Sequence, residues 1–252
     1  MILNIPLPWL QLVKQKVRFF VALAGIAFIS VLMFMQIGFQ DALYASATQV
    51  HKHLRGDLFL ISSQYKSLTS TQSFPRSRLH QILGFNGTES VEPLYVQFAK
   101  LKNPINGRKY PIYILGFDPV KSIFKLPEVD QNFQLLKIPD QVFFDRAARP
   151  EFGPIAEYFQ KNQPIGMEIF SYLGTIGYKV KVSGLFTLGP SFGVDGNLIV
   201  SSSTFFNIFP EHRSNQIDIG LIHLKPNVNP QAILTTLSNS LPKDVTVMTR
   251  QE

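Results

Sequence analysis

FFVALAGIAFISVLMFMQIGF, residues 19–39, decides the architecture of this chain. These 21 residues carry no charge. As a helix they would cover roughly 30 Å, the thickness of one bilayer hydrocarbon core. Lys14, Lys16 and Arg18 stand just before the stretch and Asp41 just after it. Lys and Arg concentrate on the cytoplasmic side of membrane segments, so the amino terminus is expected inside and everything beyond Phe39 outside. A cleaved signal peptide is the competing reading, because Ala45-Ser46-Ala47 resembles a cleavage site. The apolar run is longer than the roughly 7–15 residues of a signal-peptide core, and Gln40-Asp41 separates it from that site, which favours an anchor. Within the anchor, Ala24, Ala27 and Ser30 form a small-residue ridge suited to close approach of another membrane helix. The ordinary abundance of small residues in membrane helices explains the ridge equally well.

Outward from the anchor the helix is expected to continue. Residues 40–55 (QDALYASATQVHKHLR) hold neither Gly nor Pro, and Gly56 supplies a terminator, giving a stalk helix over 40–56. Leu43, Ala47, Val50 and Leu54 recur at steps of four, three and four, a coiled-coil-like seam that asks for a partner helix. No second membrane segment occurs in the 252 residues. The seam therefore predicts either a homodimer or a partner helix in a continuation of the chain. On the other side, residues 1–18 read as a cytoplasmic segment, with 3–18 as a short helix in the interface and Trp9 at headgroup depth.

Beyond Gly56 the pattern is that of a folded domain. Hydrophobic residues make up 45% of the chain and charged residues 16%, which is enough for a core and too little charge for disorder. The net charge of +7 comes from scattered residues without a basic run, so nucleic acid is not the expected partner. The absence of cysteine excludes disulfides, thiolate metal sites and cysteine nucleophiles. Strands are expected at 57–62, 91–101 and 110–117, the last two as a hairpin around 103–108, with a helix at 75–83 burying Leu79, Ile82 and Leu83. Strands at 217–224 and 245–248 flank a helix opened by Asn229-Pro230, with Ile233, Leu234, Leu237 and Leu241 on one side. Two strand–helix–strand units predict an α+β class and a single split sheet built from 57–117 and 216–252. The intervening 118–215, with strands at 141–144, 179–186 and 197–201 and a helix near 155–159, reads as a mostly β inserted subdomain.

Motifs that would carry chemistry fail at decisive positions. Gly184 to Ser191 has the glycines of a phosphate loop, but Pro190 stands where the lysine belongs. Ser63-Gln-Tyr-Lys66 matches one short element of penicillin-recognising enzymes without its companion motifs. An anchored hydrolase rests on that pair alone. His51 and His53, two apart on a helix, do not share a face and do not suggest a metal site. Asn86-Gly-Thr88 fits a glycosylation sequon, meaningful only in a eukaryotic secretory setting. Asp145, Arg146 and Arg149 suggest a small structural ion-pair cluster, with a partner-facing patch as the alternative. No catalytic residue, cofactor or metal ligand is expected.

Several longer runs resemble a known family. They are Trp9-Leu-Gln-Leu12, Val21-Ala-Leu-Ala-Gly-Ile-Ala-Phe28 and Leu32-Met-Phe-Met-Gln-Ile-Gly-Phe-Gln-Asp-Ala-Leu43. Further along stand Ser73-Phe-Pro-Arg76, Val91-Glu-Pro-Leu-Tyr95, Phe124-Lys-Leu-Pro-Glu-Val129, Phe144-Asp-Arg-Ala-Ala-Arg-Pro-Glu-Phe-Gly153 and Ser191-Phe-Gly-Val-Asp-Gly-Asn197. Together they are similar to the DevC-type ABC exporter permeases of cyanobacteria, within the wider MacB/FtsX-like group. The resemblance implies a permease half in the bacterial inner membrane, with a periplasmic domain made of a porter-like α+β part and a mostly β insertion. It also implies a separate cytoplasmic ABC ATPase subunit, a periplasmic membrane-fusion adaptor, an outer-membrane TolC-like channel, a homodimer of permeases and contact with membrane lipid. Mechanotransmission and glycolipid export come with it. The family continues into three more membrane helices past a position like Gln251-Glu252, where this sequence stops. The turn-rich loop 189–196, with Gly189, Phe192, Gly193 and Asp195, is the expected adaptor contact; a tight structural turn is the plain alternative. A single-pass anchored scaffold or sensor dimerising through the stalk seam is the alternative function.

Overall fold

The computed structural model describes residues 14–47, 49–64, 72–163, 165–172, 174–191 and 193–249. The chain divides into two compact units, Met1–Ser46 and Ala47–Glu252. The interfacial helix expected around Trp9 falls largely on residues outside the described set.

Helix α1 (Lys16–Ala47) runs for 32 residues without a break, roughly 48 Å at the rise of an α-helix. Its segment Lys16–Leu43 is, among the described residues, the one helix long and apolar enough to cross a membrane. Side chains from Phe20 to Ala42 are all exposed, so this is not the core helix of a globular unit. Hydrocarbon suits such a surface, because the helix satisfies its own backbone.

The described helix at the stalk stops at Lys52, short of Gly56. Helix is assigned over Lys16–Ala47 and again over Gln49–Lys52 (α2), with Thr48 outside the described residues, and Leu54 forms an isolated bridge with Phe124. Val50 and Leu54 are buried in one cluster with Phe59, Ile61 and Leu221. Of the expected seam of Leu43, Ala47, Val50 and Leu54, the last therefore lies beyond the helix, which does not reach Gly56. Heptad-like spacing reports which residues are apolar; it does not report what covers them. Here the domain's own sheet covers the last two.

The second unit is α+β. In chain order it contains β1 (Leu58–Ser62), β2 (Phe74–Pro75), α3 (Arg76–Leu83), β3 (Thr88–Lys102) and β4 (Lys109–Phe117). Next come α4 (Pro127–Asn132), β5 (Gln141–Asp145), α5 (Ile155–Gln160), β6 (Gly166–Ser171), β7 (Gly177–Phe186), β8 (Asn197–Ser201) and α6 (Ser202–Ile208). Last are β9 (Gln216–Ile217), β10 (Ile219–Leu224), α7 (Pro230–Ser240) and β11 (Val245–Thr249). Four strands pair antiparallel in the order β11-β1-β10-β3, the interleaved order of a split β-α-β fold. Leu58, Leu60, Ile222 and Val247 share a core cluster with Leu79 and Ile82 of α3 and Leu237 of α7. Leu83, expected inward, is 47% exposed. In a helix of two turns Leu79 and Ile82 already define the contact stripe, and Leu83 lies about 100° beyond Ile82.

β3 belongs to two structures at once. Residues 88–94 pair with β10, residues 94–102 with β4, and residues 99–102 also with β6. From β4 the pairing continues through β8, β5, β7 and β6 and returns to β3, closing a six-stranded barrel. Its apolar filling includes Leu101, Ile114, Phe144, Ile169, Val182 and Leu198. The segment 118–215 does supply strands, as expected, but it closes only with β3 and β4. It is not a separate sheet. Closure removes the unpaired edges that four strands alone would leave.

Candidate functional site

The turn-rich loop is a built structure centred on one carboxylate. Asp145, fully buried at the end of β5, accepts hydrogen bonds from the backbone N–H of Ala147 (3.0 Å), Leu188 (3.0 Å) and Gly189 (2.8 Å). The Asn197 side-chain amide donates to the same carboxylate and to the Gly189 carbonyl, both at 2.8 Å. Gly189 and Gly193 take φ values of +94° and +90°, a region that glycine enters at no steric cost. Ser191 and Val194 exchange backbone hydrogen bonds across the tip. Asp195 pairs with Arg149 at 3.3 Å, and its N–H donates to the Pro111 carbonyl. Phe192 lies outside the described residues. The side chain of Gln49 donates to the Leu188 carbonyl, tying the segment that follows α1 to the base of this loop.

Asp145, Arg146 and Arg149 do not pair with one another. Asp145 serves the loop, Arg146 lies 3.6 Å from Glu128, and Arg149 holds Asp195. Gly184 sits inside β7, where an added Cβ would come within 2.7 Å of the Phe143 ring. That glycine allows close strand packing and is not a phosphate cradle. Ala24, Ala27 and Ser30 lie exposed on α1, and the Ser30 hydroxyl donates back to the Ile26 carbonyl at 2.9 Å. Ser63 is exposed just after β1, and Lys66 falls outside the described residues. His51 stacks edge-on against Phe59, and burial pushes its pKa down. His53 Nδ1 lies 3.0 Å from the Gln49 carbonyl oxygen. Among the described residues no cluster of three or more His, Cys, Asp or Glu side chains gathers.

A polar cluster that no local motif announced lies at the middle of β3. Asp218, fully buried between β9 and β10, accepts from the Val96 N–H and from the Ser73 hydroxyl, each at 2.7 Å. His212 Nε2 stands 3.3 Å from the carboxylate and 3.4 Å from Ser73 Oγ. The three residue types are those of a hydrolase triad, but the geometry is not. A triad histidine turns one ring nitrogen to the nucleophile and the other to the acid. Here a single nitrogen faces both, and the hydroxyl already donates to the carboxylate. Burial lowers the His212 pKa, but the hydrogen bond and charge of Asp218, with contributions from the Arg213 backbone and Glu211, hold it above the ordinary histidine value.

Beside these sites an open groove of about 1050 Å³ is lined by Gln97, Phe98, Pro111, Tyr172, Gly193 and Glu211. Of the four expected adaptor-contact residues, Gly193 reaches it; Gly189 and Asp195 are engaged within the loop.

No family profile and no curated protein matches the sequence. Solved structures do align with it. The periplasmic region of MacB from Actinobacillus actinomycetemcomitans aligns over 80% of this chain and 92% of its own, with 15% identity and a TM-score of 0.49. The extracellular domain of the noncanonic ABC-type transporter YknZ from Gram-positive bacteria aligns over 77% and 99%, with 15% identity and a TM-score of 0.47.

Proposed function

We propose that this chain is the permease subunit of an ABC-type exporter, acting as a mechanical relay with no chemistry of its own. The observation that carries the reading is how the chain enters the domain after its membrane-length helix. Directly beyond Ala47, Gln49 hydrogen-bonds the base of the 189–196 loop, Val50 and Leu54 are buried in the core, and Arg55 pairs with Asp130. A displacement of residues 49–55 would be delivered to the packed side chains they contact. Core burial of Val50 and Leu54 also takes from the scaffold alternative two of the four positions it needs for a dimer seam. The family resemblance of the sequence supplies the remaining parts of the reading. These are a cytoplasmic ATPase on a separate subunit, an adaptor and TolC-like channel beyond the outer domain, a second permease copy and a glycolipid cargo.

The decisive test is recovery of the tagged full chain from its native membrane in mild detergent. Co-recovery of an ABC ATPase subunit, with no ATP turnover by the chain alone, is expected. Recovery without such a subunit, or turnover by the pure chain, overturns the reading. Orientation is separately testable, because the chain contains no cysteine. A membrane-impermeant maleimide should label Lys161→Cys from outside and leave Lys14→Cys untouched.

A further inference from the structure

The partner change along β3 leaves a gap in its ladder. On the side of β3 that faces β10 and β6, β10 pairs as far as Leu94, and β6 begins only at Ala99. Asp218 fills this gap. Its own N–H donates to the Leu94 carbonyl, and its carboxylate accepts from the Val96 N–H, in place of a strand neighbour. The other members of the cluster come from the two structures that meet here. Ser73 lies on the segment leading into α3 of the open sheet. His212 lies on the turn after α6, whose helix packs on β4 of the barrel. The imidazole is enclosed by Phe205 at 5.4 Å and by Tyr95 and Phe206 at 6.0 Å.

We propose that Ser73, His212 and Asp218 form a proton-sensitive latch across the β3 gap, tight when His212 is charged and looser when it is neutral, setting how firmly the barrel is held to the open sheet. This holds whether or not the chain serves transport. The groups facing the imidazole are few. Asp218 supplies the charge, Ser73 a hydroxyl, and Tyr95 on β3 a phenol that burial keeps protonated. Glu211 and the Arg213 backbone act from its own turn, while Arg76 and Asp118 act on Tyr95. A charged donor to a buried carboxylate makes a stronger hydrogen bond than a neutral one. Because the folded-state pKa of His212 is raised, the added grip is complete below the ordinary histidine value of about 6.5 and lost as pH rises through the raised value.

The test is hydrogen exchange of the Val96 amide in the full chain in detergent, corrected for intrinsic rates. A second reading is the distance between spin labels at Lys161→Cys and Ser238→Cys. Between about pH 6 and about pH 9, Val96 protection in the native sequence is expected to fall about tenfold and the label distance distribution to broaden. In His212→Gln both readings should be flat with pH. Ser73→Ala, which leaves the ion pair, should keep the pH step at lower overall protection. Val96 protection flat with pH in the native sequence overturns the latch. So does a pH step that survives His212→Gln, or one that is lost in Ser73→Ala.

Discussion

Asp145 and Asp218 are both fully buried carboxylates beside a strand end, yet they organise their surroundings differently. Around Asp145 every donor is a neutral amide: three from the backbone and one from Asn197. All belong to the barrel and its loop. Around Asp218 the donors are one backbone amide, one hydroxyl and a histidine, drawn from three separate segments. The first arrangement fixes a local shape. The second joins two parts of the fold through a histidine whose pKa the neighbouring carboxylate raises. A buried carboxylate can thus be a rigid pin or an adjustable joint, and its donors decide which.

The comparison breaks most visibly at Asp145. Asp145→Ala takes the shared acceptor from three buried donors, on Leu188, Gly189 and Asn197, and from the part-buried Ala147 N–H, and about 3–5 kcal/mol of unfolding free energy should be lost in a urea titration. A loss below about 1 kcal/mol would mean that water takes over the amides and that the pin is dispensable. Gly189→Ala tests the same loop through its backbone. The positive φ there should cost about 1–2 kcal/mol, with Gln49 Nε2 3.3 Å from the new Cβ able to move aside.

The joint should answer to pH. His212 has a raised pKa, so its contribution to stability is full below about 6.5 and declines as pH rises through the folded-state value. Thermal unfolding of His212→Gln should accordingly fall furthest behind the native chain at acidic pH, and the two should converge at alkaline pH. Convergence at acidic pH instead would reverse the sign of the coupling. The smallest effect is expected at a surface pair outside both sites. Arg78→Met removes the 3.1 Å contact with Asp244 and should cost about 0.5 kcal/mol, since such pairs are half in water.

Reading the residues in order located most elements. Asn229 does cap α7, its side chain accepting from the Gln231 N–H, and the hairpin of β3 and β4 turns where 103–108 were expected to turn it. Gly166–Ser171 and Ser202–Ile208 escaped notice. The second packs Phe205 and Ile208 inward over too few turns to show a period. The loop 189–196 was legible as a turn, because Gly189 and Gly193 stand where φ is positive. Its anchor at Asp145 was not, since the carboxylate lies 44 residues before Gly189. Ser73, His212 and Asp218 are spread over more than half the chain, and no spacing rule connects them.

What the sequence determined by itself is local. An uncharged run the length of a bilayer, a cysteine-free and moderately charged composition, and two strand–helix–strand patterns are properties of neighbouring residues, and periodicity and capping record them. Tertiary structure alone decided the pairings. Val50 and Leu54 keep the spacing of a seam but lie under the domain's own sheet, and β3 changes partners midway along one uninterrupted strand. The strands of 118–215 close a barrel only with β3 and β4. Hydrophobic pattern states that a face must be covered, while the covering partner is chosen by closure, register and shape across distances that local signals do not span.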